Sequence, residues 1–580
     1  MKIKHLFGLA VIAAMTASCS SNEDLGTAGS GTNEAGVGYA TFTINLPSVS
    51  GSTTSGARGT RATDAGGGAV VDPGSEDEYK VSKATALIFQ KYGADEGSYK
   101  FVESVDLPDA NIAWDNDKEE GVTKSKKLVA KLTNVDTKNT YGVLVLLNNQ
   151  TASGVKIELP TAGQSYKEWN DKAQSPKLTD LTATDNFYMA NAPLNESGKV
   201  TTLVTIDKNN IYATEAEAKA KPSADVYVER GVAKMSVTDP GPKTVTDKAT
   251  TKPTKSQVTF SNWALDITNK KTFAVHNIDD LSSDFGAIWT TARFTGINKR
   301  VYWGKDPNYS NELLRNTDKD GDDLRNKEFN FITATSEINK AFTDPVYCLE
   351  NTFNLANMYQ GQTTRVIFKA TYAPKDDTGA DLADKGGTFY TIGNMKTILK
   401  KADLETAVNK AATSVLPGCT VDYTNLETEG SHVITLADIT YGTSGAVLEA
   451  ETIYGTKKGK DIVTEINDKL GLKAGRPEEM VGINTYYKGV TYYIARVKHF
   501  GSLTPWKSGD SYGTDNATYL GRYGMLRNNW YELQVGNVYG PGYPGVPPVD
   551  PNQPDDENEK YLSVSVKILS WAKRSDTVDL

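Results

Sequence analysis

The chain has 580 residues, with 63 Lys and Arg against 72 Asp and Glu, a formal net charge of −9. That balance leaves no basic stripe to neutralise phosphates and speaks against a nucleic-acid binder, while 4 His and 3 Cys leave little material for metal or nucleophilic chemistry. An apolar fraction of 38% with 29 Tyr and 50 Gly is that of a large, turn-rich β protein with proper cores, not of a disordered chain.

Lys2, Lys4 and His5 precede an apolar run from Leu6 to Met15, too short to span a bilayer, which takes roughly 20 residues. The run ends in Thr16-Ala17-Ser18-Cys19, small residues followed by cysteine. This pattern resembles a bacterial lipobox, making residues 1–19 a lipoprotein signal and Cys19 the lipidated residue; an ordinary signal peptide with an incidental cysteine is the bland alternative. Ser20 to Asp24 then form a short polar, acidic spacer.

Tyr39 to Leu46 alternates, with Phe42, Ile44 and Leu46 on one face and Thr41, Thr43 and Asn45 on the other, the period of a half-buried strand. Pro47 to Gly74 follows with almost no large apolar side chain and holds Arg58 and Arg61, the only arginines before Arg230. They read equally as a protease target or as solvated loop residues.

Strand patterns continue at Lys83 to Gln90, Lys127 to Leu132, Tyr141 to Asn148, Val200 to Ile206 and Val226 to Val237. Asp239 to Lys255 reads as a boundary or surface loop. Further strands are predicted at Gln257 to Ile267, Gln362 to Tyr372, His432 to Ile439, Val490 to Phe500 and Trp530 to Val538. Apolar spacing predicts helices over Met395 to Val415 and Asp461 to Leu472. Gly540 to Glu559, rich in Pro and acid, reads as an exposed, extended linker. Beyond it Leu562, Val564, Val566 and Ile568 alternate with Ser563, Ser565 and Lys567, with Trp571 following: a second amphipathic strand held off the body. Strands of matching pattern at opposite ends point to exchange between copies. Four or five such side chains contribute about 6–15 kcal/mol before ordering costs.

The constellations that could carry chemistry are weak. Asp318, Asp320 and Asp322 alternate around Gly321 as in calcium loops, but no closing glutamate follows, so a solvated acidic turn is the preferred reading. His276, His432 and His499 are far apart in sequence and read as strand residues. Cys348 and Cys419 are either a disulfide or two buried thiols. Tyr486, Tyr487, Tyr492, Tyr493 and Trp530 are either core aromatics or platforms for a glycan. No Walker loop, nucleophile elbow or dinucleotide fingerprint is present, so no enzyme and no cofactor are expected.

The segments VERGVAKMSV (from Val228), NWALDITNKK (from Asn262), RVYWGKDPNYS (from Arg300), YCLENTFN (from Tyr347), TTRVIFKATY (from Thr363), YYKGVTYYIARVKHFG (from Tyr486), GRYGMLRNNWYELQV (from Gly521) and ILSWAKRSDTVDL (from Ile568) are collinear. Together they resemble a Bacteroidales fimbrillin, the major (shaft) subunit of short or minor fimbriae, also called a type V pilin. The resemblance implies two transthyretin-like β-sandwich domains, the second with a few helices inserted. They would span residues 62–240 and 241–545, preceded by a propeptide 20–61 and followed by a linker and donor strand 546–580. It implies export as an outer-membrane lipoprotein through Cys19, then cleavage after Arg61 or Arg58 by an arginine-specific protease. The strand containing Phe42, Ile44 and Leu46 would leave, and Leu562, Val564, Val566, Ile568 and Trp571 of a neighbour would replace it. The partners would be identical subunits and accessory anchor and tip subunits, and the product a cell-surface fimbrium supporting adhesion and biofilm formation. A tip or anchor subunit, or a non-polymerising glycan-binding lipoprotein, is the alternative.

Overall fold

Alternation of apolar and polar residues decides most of the architecture. The computed structural model describes residues 31–47, 75–281, 301–499, 521–549, 551 and 562–570, apart from short breaks at 112–113, 117–121, 137, 197–198, 222, 316–318, 394–396, 444 and 473–481. Nothing in this stretch of the chain departs from a mainly β fold with few helices.

The first sheet has nine strands. They are Gly38–Pro47 (β1), Ala84–Gln90 (β2), Lys100–Leu107 (β3), Asp115–Asn116 (β4), Val122–Leu132 (β5), Tyr141–Leu147 (β6), Met189–Asn191 (β7), Val204–Ile206 (β8) and Ala224–Arg230 (β9). Their order is β3-β2-β6-β7-β9-β1-β5-β4, with β8 on β6. Every residue of β6 (YGVLVLL) is buried, as a continuous apolar run predicts. A short helix, Glu215–Ala220 (α1), is N-capped by Thr214, whose hydroxyl accepts from the Glu217 N–H.

The second sheet has eight strands: Ala233–Val237 (β10), Pro242–Thr246 (β11), Pro253–Asp266 (β12), Val346–Cys348 (β13), Arg365–Ala373 (β14), Val490–Arg496 (β15), Asn529–Val538 (β16) and Leu562–Ser570 (β17). The order is β13-β10-β16-β11-β12-β14-β15, with β17 on β16. Along β12, Ser256, Val258 and Phe260 are buried between exposed neighbours, and the alternation breaks at the bulge between Phe260 and Asn262.

Lys319–Glu328 (α2) lies between β12 and β13. Lys401–Val415 (α3) and Gly459–Leu470 (α4) belong to an insertion between β14 and β15 with its own core. Leu404, Val408 and Ala412 pack there with Ile462, Ile466 and Ile483. The predicted helix from Met395 starts late because Leu399 is extended, exchanging backbone hydrogen bonds with Tyr390 at 2.8 and 2.9 Å. The α4 helix ends at Gly471, whose φ of 70° provides the left-handed cap.

Several predicted strands divide. Val226 to Val237 is two strands in two different sheets, so the chain crosses over at Gly231, earlier than the expected boundary at 240. Glycine is needed at the crossover: a Cβ at Gly231 would lie 2.6 Å from Cδ1 of Tyr188, whose hydroxyl is fixed by donating to Ala274 O at 2.9 Å. Asp239 to Lys255 is not a boundary loop but contains β11 and the start of β12, a hairpin of the second sheet. Val200 to Ile206 is interrupted where Thr202 and Leu203 donate their N–H groups to Glu96. His432 to Ile439 gives way to a 3-10 turn at Leu436–Asp438.

Candidate strand-exchange site

The β1 strand is internal to the first sheet. It runs antiparallel to β5, with Phe42 opposite Leu128 and Thr43 opposite Lys127, and parallel to β9, with Thr43 beside Asp225 and Ile44 beside Val226. Ala40, Phe42, Ile44 and Leu46 are at most 1% exposed and join the core of the first sheet. Full burial of Phe42, Ile44 and Leu46 alone contributes about 1.5–3 kcal/mol each. Losing β1 would therefore expose a slot whose cost is comparable to the whole stability of an ordinary domain, about 5–15 kcal/mol.

The second face of β1 is also covered. Thr41 is buried and its hydroxyl donates to Ala218 O of α1 at 2.8 Å. The hydroxyls of Thr43 and Ser223 share a short hydrogen bond. At the strand's start, Tyr39 and Tyr212 exchange backbone hydrogen bonds at 2.8 and 2.9 Å. A Cβ at Gly38 would lie 2.5 Å from Ile211 Cγ2, so glycine is required where the strand passes that side chain. The two hydroxyl contacts are invisible in the sequence: the Thr alternation is legible, but its partners lie about 180 residues away.

Arg58 and Arg61 fall in residues 48–74, outside the described residues, as do Cys19 and Trp571. The chain re-enters at Ser75, whose N–H donates to Glu78 Oε2 at 3.0 Å. Glu78 is buried and ion-paired with Lys234 of β10 at 2.7 Å. It also accepts the Tyr347 hydroxyl, and its backbone carbonyl accepts Arg230 Nε at 2.9 Å. Burial alone would raise the Glu78 carboxyl, but Lys234, Tyr347 and Arg230 together hold it below the usual carboxylate value. The residues after the Arg58/Arg61 segment are thus fastened to the second sheet, independently of β1.

At the other end β17 pairs antiparallel with β16 of its own chain, Leu569 opposite Trp530, Val566 opposite Leu533 and Val564 opposite Val535. The preceding Pro-rich segment corrects the expectation of an exposed linker, because its first half is packed down. Tyr543 exchanges backbone bonds with Tyr492 at 2.7 and 2.8 Å, and the hydroxyls of Tyr486 and Tyr493 donate to Gly542 O and Gly540 O, each at 2.9 Å. Arg365, ion-paired with Asp266 at 2.7 Å, donates to Pro547 O at 2.6 Å and Pro548 O at 3.1 Å. Prolines supply acceptors without adding donors, so carbonyls in such a run suit a buried guanidinium.

The remaining candidates separate. Asp318 lies outside the described residues, and Asp320 and Asp322 fall within α2, where positions two apart are about 200° apart around the axis, so the calcium-loop pattern is not a loop. No group of three or more potential metal ligands occurs among the described residues. Cys348 and Cys419 are free, buried thiols in separate cores, not a disulfide. His276 bonds Glu229 and Trp303 O, and His499 bonds Tyr531 and Tyr302 O. Tyr486, Tyr492 and Tyr493 are buried, leaving Tyr487 exposed and Trp530 half-buried beneath Lys234, whose Nζ lies 3.9 Å from the ring centre.

Residues 484–577 match the family model described as major fimbrial subunit protein type IV, Fimbrillin, C-terminal. No curated protein matches the chain. Among solved structures, a fimbrial assembly protein from Parabacteroides distasonis aligns over 57% of this chain and 81% of its own at 9% identity and a TM-score of 0.28, too low to carry an argument. The region that holds β15, β16 and β17 is therefore similar in sequence to the C-terminal part of fimbrillin-type major fimbrial subunits.

Proposed function

We propose that the chain is a fimbrillin-family structural subunit of a surface fimbria. It is exported as a lipoprotein through Cys19 and polymerises when an arginine-specific protease cuts after Arg58 or Arg61 and frees the segment containing β1. The C-terminal strand of another copy then enters the slot between β5 and β9, and the resulting shaft carries anchor and tip subunits and serves adhesion. The observation that carries this reading is the placement of β1. It is an internal strand filling a core, yet it is continuous with the Arg58/Arg61 segment rather than with the next strand of the sheet. The anchoring of Glu78 supports it, since the body downstream of the cut keeps its own attachment. The test uses chain from Ser20 onward, treated with an arginine-specific protease, with and without residues 561–580. Denaturant-resistant ladders are expected from the full chain only; ladders from the truncated chain would overturn donation by the C-terminus.

A further inference from the structure

We propose that the folded body is shielded from the protease that trims it by a division of its cations: lysine carries the exposed positive charge, and arginine is confined to the interior. The inference rests on the arginine-specific cut proposed above and names what restricts that cut to one segment. Residues 62–229 hold 18 lysines and no arginine, so the first sheet offers no such bond before Arg230, the last residue of β9. From there on Arg230, Arg325, Arg365, Arg496, Arg522 and Arg527 are each at most 9% exposed. Lysine behaves in the opposite way: only Lys156 and Lys234 are buried among the described residues. Arg315 closes a 3-10 turn, Glu312–Arg315, while Arg293, Arg300, Arg476 and Arg574 fall outside the described residues.

Cleavage after arginine requires the whole side chain to enter the protease's specificity pocket, and the flanking backbone to leave its own hydrogen bonds and lie extended along the enzyme. The buried arginines meet neither condition. Arg365 Nε lies 2.7 Å from Asp266, its other nitrogens donate to Pro547 O and Pro548 O, and its backbone stands opposite Arg496 in the β14–β15 ladder. Arg527 is held by Glu350 at 3.1 Å and donates to Thr272 and to Phe273 O, and Arg230 Nε donates to Glu78 O. A planar guanidinium reaches two or three acceptors at once, which an ammonium on a flexible stem does less well, so the fold's demand for buried donors and the protection from trimming have one origin. Exposed turns carry lysine instead. Lys248 lies in the turn closed by the Asp247 N–H on Lys252 O at 2.8 Å, and Lys385 in the turn closed by the Asp384 N–H on Thr388 O at 2.8 Å; both lysines are exposed.

The test is digestion of the chain from Ser20 onward by an arginine-specific protease, read by intact mass. The parent is expected to lose the residues up to Arg58 or Arg61 and to keep residues 62–570 whole. Lys248→Arg and Lys385→Arg, which preserve charge, are each expected to gain one new cut, after the substituted residue. A lysine-specific protease is expected to open the parent at the same two turns. A parent body cut at its own arginines would overturn the division of cations. So would arginines at 248 and 385 that stay uncut, or turns that the lysine-specific enzyme leaves closed; in each of these cases trimming and ladder formation still stand. Failure of the parent to lose its N-terminal segment would remove the processing reading itself, and this inference with it.

Discussion

Glu78 and Lys234 form an ion pair of 2.7 Å in which both side chains are almost wholly enclosed. It joins the turn that begins at Ser75 to the second sheet, alongside the bonds that Tyr347 and Arg230 make to Glu78. Breaking one side leaves a buried charge, which costs about 3–5 kcal/mol. Lys234→Met should lower the denaturation midpoint by a corresponding amount, in cut and uncut chain alike, and Glu78→Gln with Lys234→Met together should cost less than Lys234→Met alone. Equal costs for the single and double variants, measured by urea unfolding, would show that the pair is not coupled.

Phe42→Ala removes the largest core-facing side chain of β1 and should destabilise the uncut chain by about 3–5 kcal/mol. After cleavage and assembly the difference should vanish, because β1 is no longer part of the subunit. Thermal unfolding of the precursor and of the assembled product, compared with the parent, checks both halves.

Arg365 links Asp266 to the carbonyls of Pro547 and Pro548. Arg365→Met should leave Asp266 buried without its charge partner and release the start of the tail. Limited proteolysis is expected to cut near residues 547–551 sooner than in the parent, together with a loss of about 3–5 kcal/mol in stability.

Burial pushes the Glu96 carboxyl up to about 7 despite the Thr202 and Leu203 N–H groups, and Asp306 up to about 8 despite Thr352, Asn269 and Asn308. Both folded values lie above those of the unfolded chain, near 4, so the folded protein holds these protons more tightly. The stability they contribute is full below about pH 4 and is lost as pH rises through about 7 and then about 8. The melting temperature should therefore fall between pH 5.5 and 8.5, and Glu96→Gln should shrink that fall; an unchanged pH profile in the variant would contradict the assignment.

Periodicity makes β1, β2, β6, β14, β15, β16, β17 and the α4 helix legible to within a few residues, and α3 legible as an element that starts six residues later than expected, because each carries an apolar face of regular spacing. The division at Gly231 is not, since Val226 to Val237 alternates without a break and the Tyr188 ring that demands glycine there is distant in sequence. The Pro-rich segment has the composition of a linker, but its carbonyls are what Arg365 and three tyrosines of the second half bind. At the candidate site, the apolar residues of both end strands were readable, while Ala218 and Ser223 gained meaning only when the fold brought them against Thr41 and Thr43.

In the proposed assembly, removal of β1 and polymerisation are one event. Mass spectrometry on chain starting at Ser20, sampled during digestion by an arginine-specific protease, should show loss of the residues up to Arg58 or Arg61 in step with the appearance of ladders. Neither should occur when both arginines are changed to Ala. Ladders that form at the same rate in the Arg58→Ala, Arg61→Ala chain, with residues 38–47 retained in the product, would contradict the account.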